Sequence, residues 1–207
     1  PDKALLYSAI LRPLAERHLL LPLAAPLAVC DAAEELRPGI GCEVKWPNDV
    51  WLDERKLAGI LVEARPQDGW AVIGIGLNLT ISPDEFPPDL RDKAVSLFDP
   101  SVSPFDPSKG GRGRGRRSLP AVAPPTPTPT ALSASKVLSR HLSEWTEADQ
   151  ATVLSSWRKR DALRDREIAW DGGSGVADGV DDRGFLLVRT HGGDRVAVGA
   201  GEVHLRL

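Results

Sequence analysis

Residues 42–79 read CEVKWPNDVWLDERKLAGILVEARPQDGWAVIGIGLNL, and this stretch decides the fold. A short apolar run at 42–46 leads into a turn at Pro47, Asn48 and Asp49. Residues 50–52 follow, then a charged turn at Asp53, Glu54 and Arg55, and then the apolar run 57–64. The segment 70–79, WAVIGIGLNL, has the strongest strand character of all. Short apolar runs separated by tight turns predict a largely antiparallel sheet or meander. They lack the regular alternation of strand and helix that a doubly wound parallel sheet requires.

Upstream, LLYSAIL at 5–11 is almost wholly apolar and is ended by Arg12-Pro13. It predicts a buried strand, because Pro13 cannot donate to a ladder and biases Arg12 toward extended geometry. In residues 21–36, Leu23, Leu27, Cys30, Ala33 and Glu34 fall near a helical period, and Pro22 suits a first turn. Pro26 conflicts with that start, since a proline inside a helix costs about 3 kcal/mol. The expected helix therefore begins at Ala25, with Pro26 in its first turn. Arg37-Pro38-Gly39 closes it.

Downstream, residues 101–130 hold seven prolines, the basic run from Lys109 to Arg117 and the string PPTPTPT. Such a stretch buries too little apolar surface to offset the entropy of ordering, and reads as a disordered linker or insertion. Helical periodicity returns at 132–145 and again at 148–163, where Val153, Leu154, Trp157 and Arg160 lie on neighbouring faces. Runs at 168–170, 175–180, 185–190, 195–198 and 203–207 predict a five-stranded minibarrel. A core of that size needs support, so the barrel is expected to lean on the first domain. The expected division is 1–100, an insertion at 101–130, helices at 131–165 that complete the first domain, and a small domain at 166–207.

The 207 residues are 42% apolar and 27% charged, which suits a globular chain of one or two domains. A formal net charge of −3 excludes a generally basic nucleic-acid binder. No apolar run reaches the roughly 18–20 residues of a membrane span, because Pro22 and Pro26 interrupt the longest. Cys30 and Cys42 stand in neither a CxxC nor a metal-type spacing, and read as reduced thiols of a cytoplasmic protein. The chain opens inside a strand-like pattern at Pro1, so further residues are expected upstream.

Several catalytic signatures are excluded. There is no Walker loop, and Gly74-Ile75-Gly76 fails as a dinucleotide fingerprint because Leu79 stands where the third glycine belongs. Gly173-Ser174-Gly175 lacks the spacing of a nucleophile elbow. His18, His141, His191 and His204 are scattered without metal-ligand spacing. What remains is the block from Lys45 to Asn78. Lys45, Asn48 and Asp49 meet in one turn beside Trp46. Lys56 opens an apolar strand, so its ammonium would stand at the rim of an apolar pocket and could clamp an anion. A solvated lysine guarding a strand edge is the alternative. Gly59, Gly74 and Gly76 either permit tight sheet packing or let a flat ligand approach the backbone. Asn78 can donate and accept toward a ribose or a phosphate.

KWPNDV, KLAGIL and GIGLN, in this order and spacing, closely resemble the catalytic domain of biotin–protein ligases. Leu154, Trp157 and Asp161 match that family's helix ending in a W-x-x-x-D segment. GEVHLRL at the end of the chain resembles the last strand of its SH3-like C-terminal domain. The resemblance spans nearly the whole chain outside 101–130. It implies an α+β fold, with a mixed, largely antiparallel sheet packed with helices and followed by a small SH3-like β-barrel. Residues 1–100 then correspond to the C-terminal half of the ligase catalytic domain. The implied activity joins biotin and ATP into biotinyl-5′-adenylate, releases pyrophosphate, and passes biotin to a lysine of a carboxylase carrier domain. Lys56 corresponds to the catalytic lysine. Asn48 and Asp49 match the turn that orders the nucleotide, Asn78 the residue near its sugar and phosphate, and Gly59 and Gly74, with Gly76 beside them, the backbone lining the biotin pocket. Lys45 and Trp46 are expected to buttress the turn rather than touch substrate. Mg2+ is expected with ATP, held mainly by phosphate oxygens and water, so no protein ligand is assigned. A membrane is excluded as partner, nucleic acid is not expected, and a homodimer is left open.

One departure from the family stands out. Its glycine- and arginine-rich biotin loop normally precedes the YSAILRP segment, whereas here GGRGRGRR occurs at 110–117, inside the proline-rich tract. These arginines are read as part of a solvated linker, and no biotin-loop residue is assigned to them. Two further readings stay open, a non-catalytic partner-binding fragment and a ligase for lipoate or another acyl acid.

Overall fold

The turns of 42–79 close into a meander in a computed structural model of the chain, which describes residues 3–102, 128–199 and 203–205. Strands β1 (Ala4–Leu11), β2 (Cys42–Lys45), β3 (Asp49–Leu52), β4 (Arg55–Arg65) and β5 (Trp70–Asn78) form one sheet. Their order is β1-β5-β4-β3-β2, and every neighbouring pair is antiparallel. Asp53 and Glu54 make the β3–β4 turn with φ of 56° and 61°. That left-handed pair of residues matches the twist of a two-residue hairpin.

Helix α1 (Leu21–Leu36) packs on one face of this sheet and is buried along nearly its whole length. It begins at Leu21, four residues before the expected start, and keeps Pro26 inside. The expected displacement to Ala25 fails on magnitude. Giving up the first turn would sacrifice Leu21 and Leu23, both nearly inaccessible, and each is worth about 1.5–3 kcal/mol of burial. That outweighs the single hydrogen bond that Pro26 cannot donate to the Pro22 carbonyl.

The expected buried strand at 5–11 is also corrected. In β1 only Leu5 is buried, while Leu6 and Ile10 are 85% and 77% exposed. α1 covers one face of the sheet, so alternate residues of β1 stand on the open face. LLYSAIL is apolar on both faces, and its pattern could not announce this.

Helices α2 (Ala131–Glu147) and α3 (Gln150–Lys159) form the layer beyond α1. Thr130 Oγ1 and Asp149 Oδ1 accept from the backbone N–H groups of Ser133 and Thr152 and cap their starts. α3 stops short of the expected 163 because the chain turns to pair with the β2 edge. The Val44 N–H donates to the Arg160 carbonyl at 2.7 Å, and the Ala162 N–H to the Val44 carbonyl at 3.0 Å. The Arg160 guanidinium joins the layers, donating to Asp31, to Glu34 and to the Cys42 carbonyl. Cys30 and Cys42 are buried and free.

Strands β6 (Glu167–Trp170), β7 (Gly173–Val180), β8 (Leu186–Thr190), β9 (Arg195–Val198) and β10 (His204–Leu205) form a second antiparallel sheet in the order β10-β6-β7-β8-β9. The whole is α+β, with the second unit consistent with an SH3-like barrel. It leans on the first unit through the β7–β8 turn. There Trp46 Nε1 donates to the Gly184 carbonyl at 3.0 Å, and the Leu20 and Leu23 side chains pack over Gly184. Ile168, Ala177, Leu186 and Val188 share one continuous core with the first sheet and α1.

Of the expected insertion, Val102 is buried in the core and Thr130 caps α2. The string GGRGRGRR lies outside the described residues. Among the described residues no helix is long and apolar enough to cross a membrane.

A candidate site on the open face of the sheet

Strand register brings Lys45, Asp49, Gly59, Gly76 and Leu6 into one row across β2, β3, β4, β5 and β1. Lys56, three residues before Gly59, reaches along β4 into this row. Its Nζ lies 2.7 Å from Asp49 Oδ1. A Cβ added to Gly59 would stand 3.3 Å from that Nζ, so the ammonium rests directly over the glycine backbone. Lys56 is half-exposed and Asp49 mostly covered. A pair so placed adds little to stability, which leaves its charge available for another task.

The backbone around the pair is fixed on both sides. Asn48 Nδ2 donates to the Ile60 carbonyl at 2.8 Å, and the Asn48 carbonyl accepts from the Ile60 N–H at 2.9 Å. The Lys56 N–H donates to the Lys93 carbonyl at 2.7 Å, and its carbonyl accepts from the Val95 N–H at 3.0 Å. The same segment holds the end of β5. Asn78 Nδ2 donates to the Val95 carbonyl, and the Leu97 N–H to the Asn78 carbonyl. Residues 93–97 thus knit the KLAGIL strand to the GIGLN strand, a role that periodicity did not announce.

These elements enclose a groove of about 440 Å³. Asn48, Asp49, Lys56 and Gly59 line it, as do Lys45, Ile60 and Leu61, and Val203 contributes from the second unit. Gly74, Gly76 and Asn78 do not line it. Gly74 and Gly76 continue the open face beyond Gly59, where an added Cβ would meet nothing closer than 3.9 Å. Leu6, Ile10 and Leu61 stand around them, exposed. The Asn78 amide is turned to Val95, away from the groove lining.

Two acids lie at the β2 edge. Burial pushes the Glu43 carboxyl up to about 7; Arg166 opposes the shift, and Glu54 and Asp161 add to it. Burial likewise raises Asp161 to about 6, against a hydrogen bond from the Leu163 N–H. Asp161 Oδ2 is buried without a hydrogen-bond partner, facing Gly179 of the second unit. It does not line the groove. Among the described residues no group of three or more His, Cys, Asp or Glu side chains could hold a metal ion. Chemically, the arrangement offers cations at one end and a flat, glycine-floored apolar surface at the other. It suits an amphipathic anion.

Residues 1–79 match the Biotin/lipoate A/B protein ligase family, which sets the class, and residues 165–206 match the Biotin protein ligase C terminal domain. A biotin--[acetyl-CoA-carboxylase] ligase of Mycobacterium tuberculosis is 34% identical over 195 residues, covering 90% of this chain. The chain spans 62% of that relative's length. A crystal structure of the biotin protein ligase of Aquifex aeolicus superposes with a TM-score of 0.71 at 26% identity, over 99% of this chain and 83% of that one. The same Aquifex protein in complex with biotin and ATP superposes with a TM-score of 0.68, over 99% of this chain and 78% of that one. The chain belongs to the biotin protein ligase family.

Proposed function

We propose that this chain carries the part of a biotin protein ligase that activates biotin with ATP to biotinyl-5′-adenylate, releasing pyrophosphate, and transfers biotin to a lysine of a carboxylase carrier domain. The observation that carries the reading is the Lys56–Asp49 pair, held at 2.7 Å over Gly59 where the charged groove opens onto the glycine-floored face. Adenylate formation brings a carboxylate against the α-phosphate, and charge crowds at phosphorus as the bond forms. A fixed ammonium at that point stabilises the transition state more than the separated anions. Asp49 positions Lys56, and Asn48 locks the turn that presents both. Gly59, Gly74 and Gly76 give a flat ring system access to the sheet backbone, and Asn78 acts from outside the groove, tying the end of β5 to the segment that holds Lys56.

Mg2+ enters the reading as the companion of ATP. Among the described residues lining the groove, the one carboxylate, Asp49, is engaged by Lys56, which leaves phosphate oxygens and water as the ion's ligands. The buried Cys30 and Cys42 are read as reduced thiols of a cytoplasmic protein. A lipoate ligase is the second reading, because the family matched by residues 1–79 includes both activities. The match of residues 165–206 to a biotin ligase C-terminal domain favours biotin.

Lys56→Ala in the full-length protein tests the reading. Removing a half-exposed lysine costs the fold no more than about 0.5 kcal/mol, so biotin-dependent pyrophosphate release falls while the melting temperature stays. Release near the wild-type rate would remove Lys56 from its role.

A further inference from the structure

We propose that Arg37 is a positioning residue that sets the seat of Lys56 through the segment 93–99; this rests on the reading of Lys56 as the cation of adenylate formation. The sequence presents Arg37 only as part of the stop that closes α1. In the structure its side chain is fully buried. Its Nη1 donates to the Leu97 carbonyl at 2.6 Å and to the Asp99 carbonyl at 2.8 Å. The Arg37 N–H donates to the Ala33 carbonyl at 2.9 Å, so the guanidinium is carried on the last turn of a buried helix.

The strand register shows why Lys56 needs this hold. The pairing of β5 with β4 reaches only to Ala58, opposite Leu77. On that side of β4 the partner of Lys56 is Ala94, in a short parallel bridge. Both backbone groups of Lys56 are engaged there, by the Lys93 carbonyl and the Val95 N–H. Further along, the Leu97 and Phe98 N–H groups donate to the Asn78 and Leu79 carbonyls. Arg37 grips the carbonyls on either side of Phe98. Asp99 extends the hold to the neighbour of Lys56, since its Oδ2 lies 4.0 Å from Arg55 Nη1. Stability alone is a poor reason for a cation in this place. Burial pushes the Arg37 pKa down, with Asp99 opposing the shift, and a well-packed apolar side chain would avoid that desolvation. What the guanidinium adds is direction, because a planar fork fixes its acceptors in a way that apolar contact cannot.

The test measures biotin-dependent pyrophosphate release by the full-length protein. Arg37→Lys keeps the buried charge and loses the fork. A seat displaced by a few tenths of an ångström lowers kcat roughly fourfold, while KM for biotin and for MgATP stays within about twofold. In a Lys56→Ala background the same change costs less than about twofold, because its effect passes through the missing ammonium. Native-state amide exchange of the wild-type protein decides the matter even where the variant fails to fold: the Lys56 and Val95 amides should open as one unit with the Arg37 amide. Wild-type kcat in Arg37→Lys, a rise in KM alone, or an equal loss in both backgrounds overturns the proposal and leaves the reading of Lys56 intact. Exchange of Lys56 and Val95 well ahead of Arg37 also overturns it. If the wild-type protein releases no pyrophosphate, the reading of Lys56 falls and takes the role of Arg37 with it.

Discussion

Gly59→Ala is the most discriminating single change, because it moves the Lys56–Asp49 pair without deleting either member. A methyl at Gly59 would stand 3.2 Å from Lys56 Cε, 3.3 Å from Nζ and 3.8 Å from Asp49 Oδ1. The first two contacts are tighter than ordinary van der Waals distance, so the lysine tip must retreat by a few tenths of an ångström. Gly59 is not in the left-handed region, so alanine needs no backbone change there. Losing glycine's unfolded-state freedom favours the variant by about 0.4–1 kcal/mol, which offsets the crowding. Stability should thus stay within about 1 kcal/mol of wild type. Catalysis is less tolerant, since misplacing a reacting group by 1 Å costs about 10²-fold. A shift of a few tenths corresponds to roughly a fourfold loss, or about 0.8 kcal/mol of transition-state stabilisation. The assay is biotin-dependent pyrophosphate release by the full-length protein, with melting temperature measured alongside. In a Lys56→Ala background, Gly59→Ala should cost less than it does alone, because only the methyl's effect on ligand access to the backbone remains. Wild-type turnover in Gly59→Ala, or losses that simply multiply in the double variant, would refute the reasoning.

Two other predictions concern stability. Glu43 has a folded-state pKa of about 7 against an ordinary 4.5, so the folded protein keeps a proton that the unfolded chain releases between those values. Stability conferred by that proton is complete below pH 4.5 and is lost as pH rises to 7. Glu43→Gln removes roughly 3 kcal/mol of this decline, and urea melts at pH 5 and pH 8 should show a flatter profile than wild type; an unchanged profile contradicts the assignment. Arg160→Met leaves Asp31 and Glu34 without their shared cation. The loss should be roughly 3 kcal/mol, the lower end for a broken buried pair because these groups keep some solvent access. An unmoved urea midpoint would show that the network does not bind the layers together.

What the sequence made legible follows from the strength of its local signals. The meander was readable because PND and DER punctuate short apolar runs, and tight turns act locally. The second unit was readable for the same reason, its glycine turns separating β6 to β9. LLYSAIL could not report its open face, because an apolar residue carries no label for which side α1 will cover. Pro26 pointed to a late helix start, because a local propensity was weighed without the burial of Leu21 and Leu23. At the site, KWPND and KLAGIL identified Asn48, Asp49, Lys56 and Gly59, which the fold brings into one groove. Gly74 and Gly76 fall beyond it on the same face. The pairing of Asn78 with Val95, the tie from 93–97 to Lys56, and the place of Lys45 in the lining depend on strand register. Their segments are distant in sequence, and no periodicity connects them.

The central claim is that this face of the sheet activates biotin as an acyl-adenylate. Its most direct test incubates the full-length protein with MgATP and either biotin or lipoate, and measures acyl-adenylate formation and acyl transfer to a carrier-domain lysine. A site whose polar groups match the ureido ring rejects a ligand that leaves them unpaired, so biotin should be favoured by at least ~10³-fold. Avidin blotting should then detect biotinyl-lysine on the carrier. Equal or greater activity with lipoate would contradict the biotin assignment, and no adenylate from either acid would contradict the account as a whole.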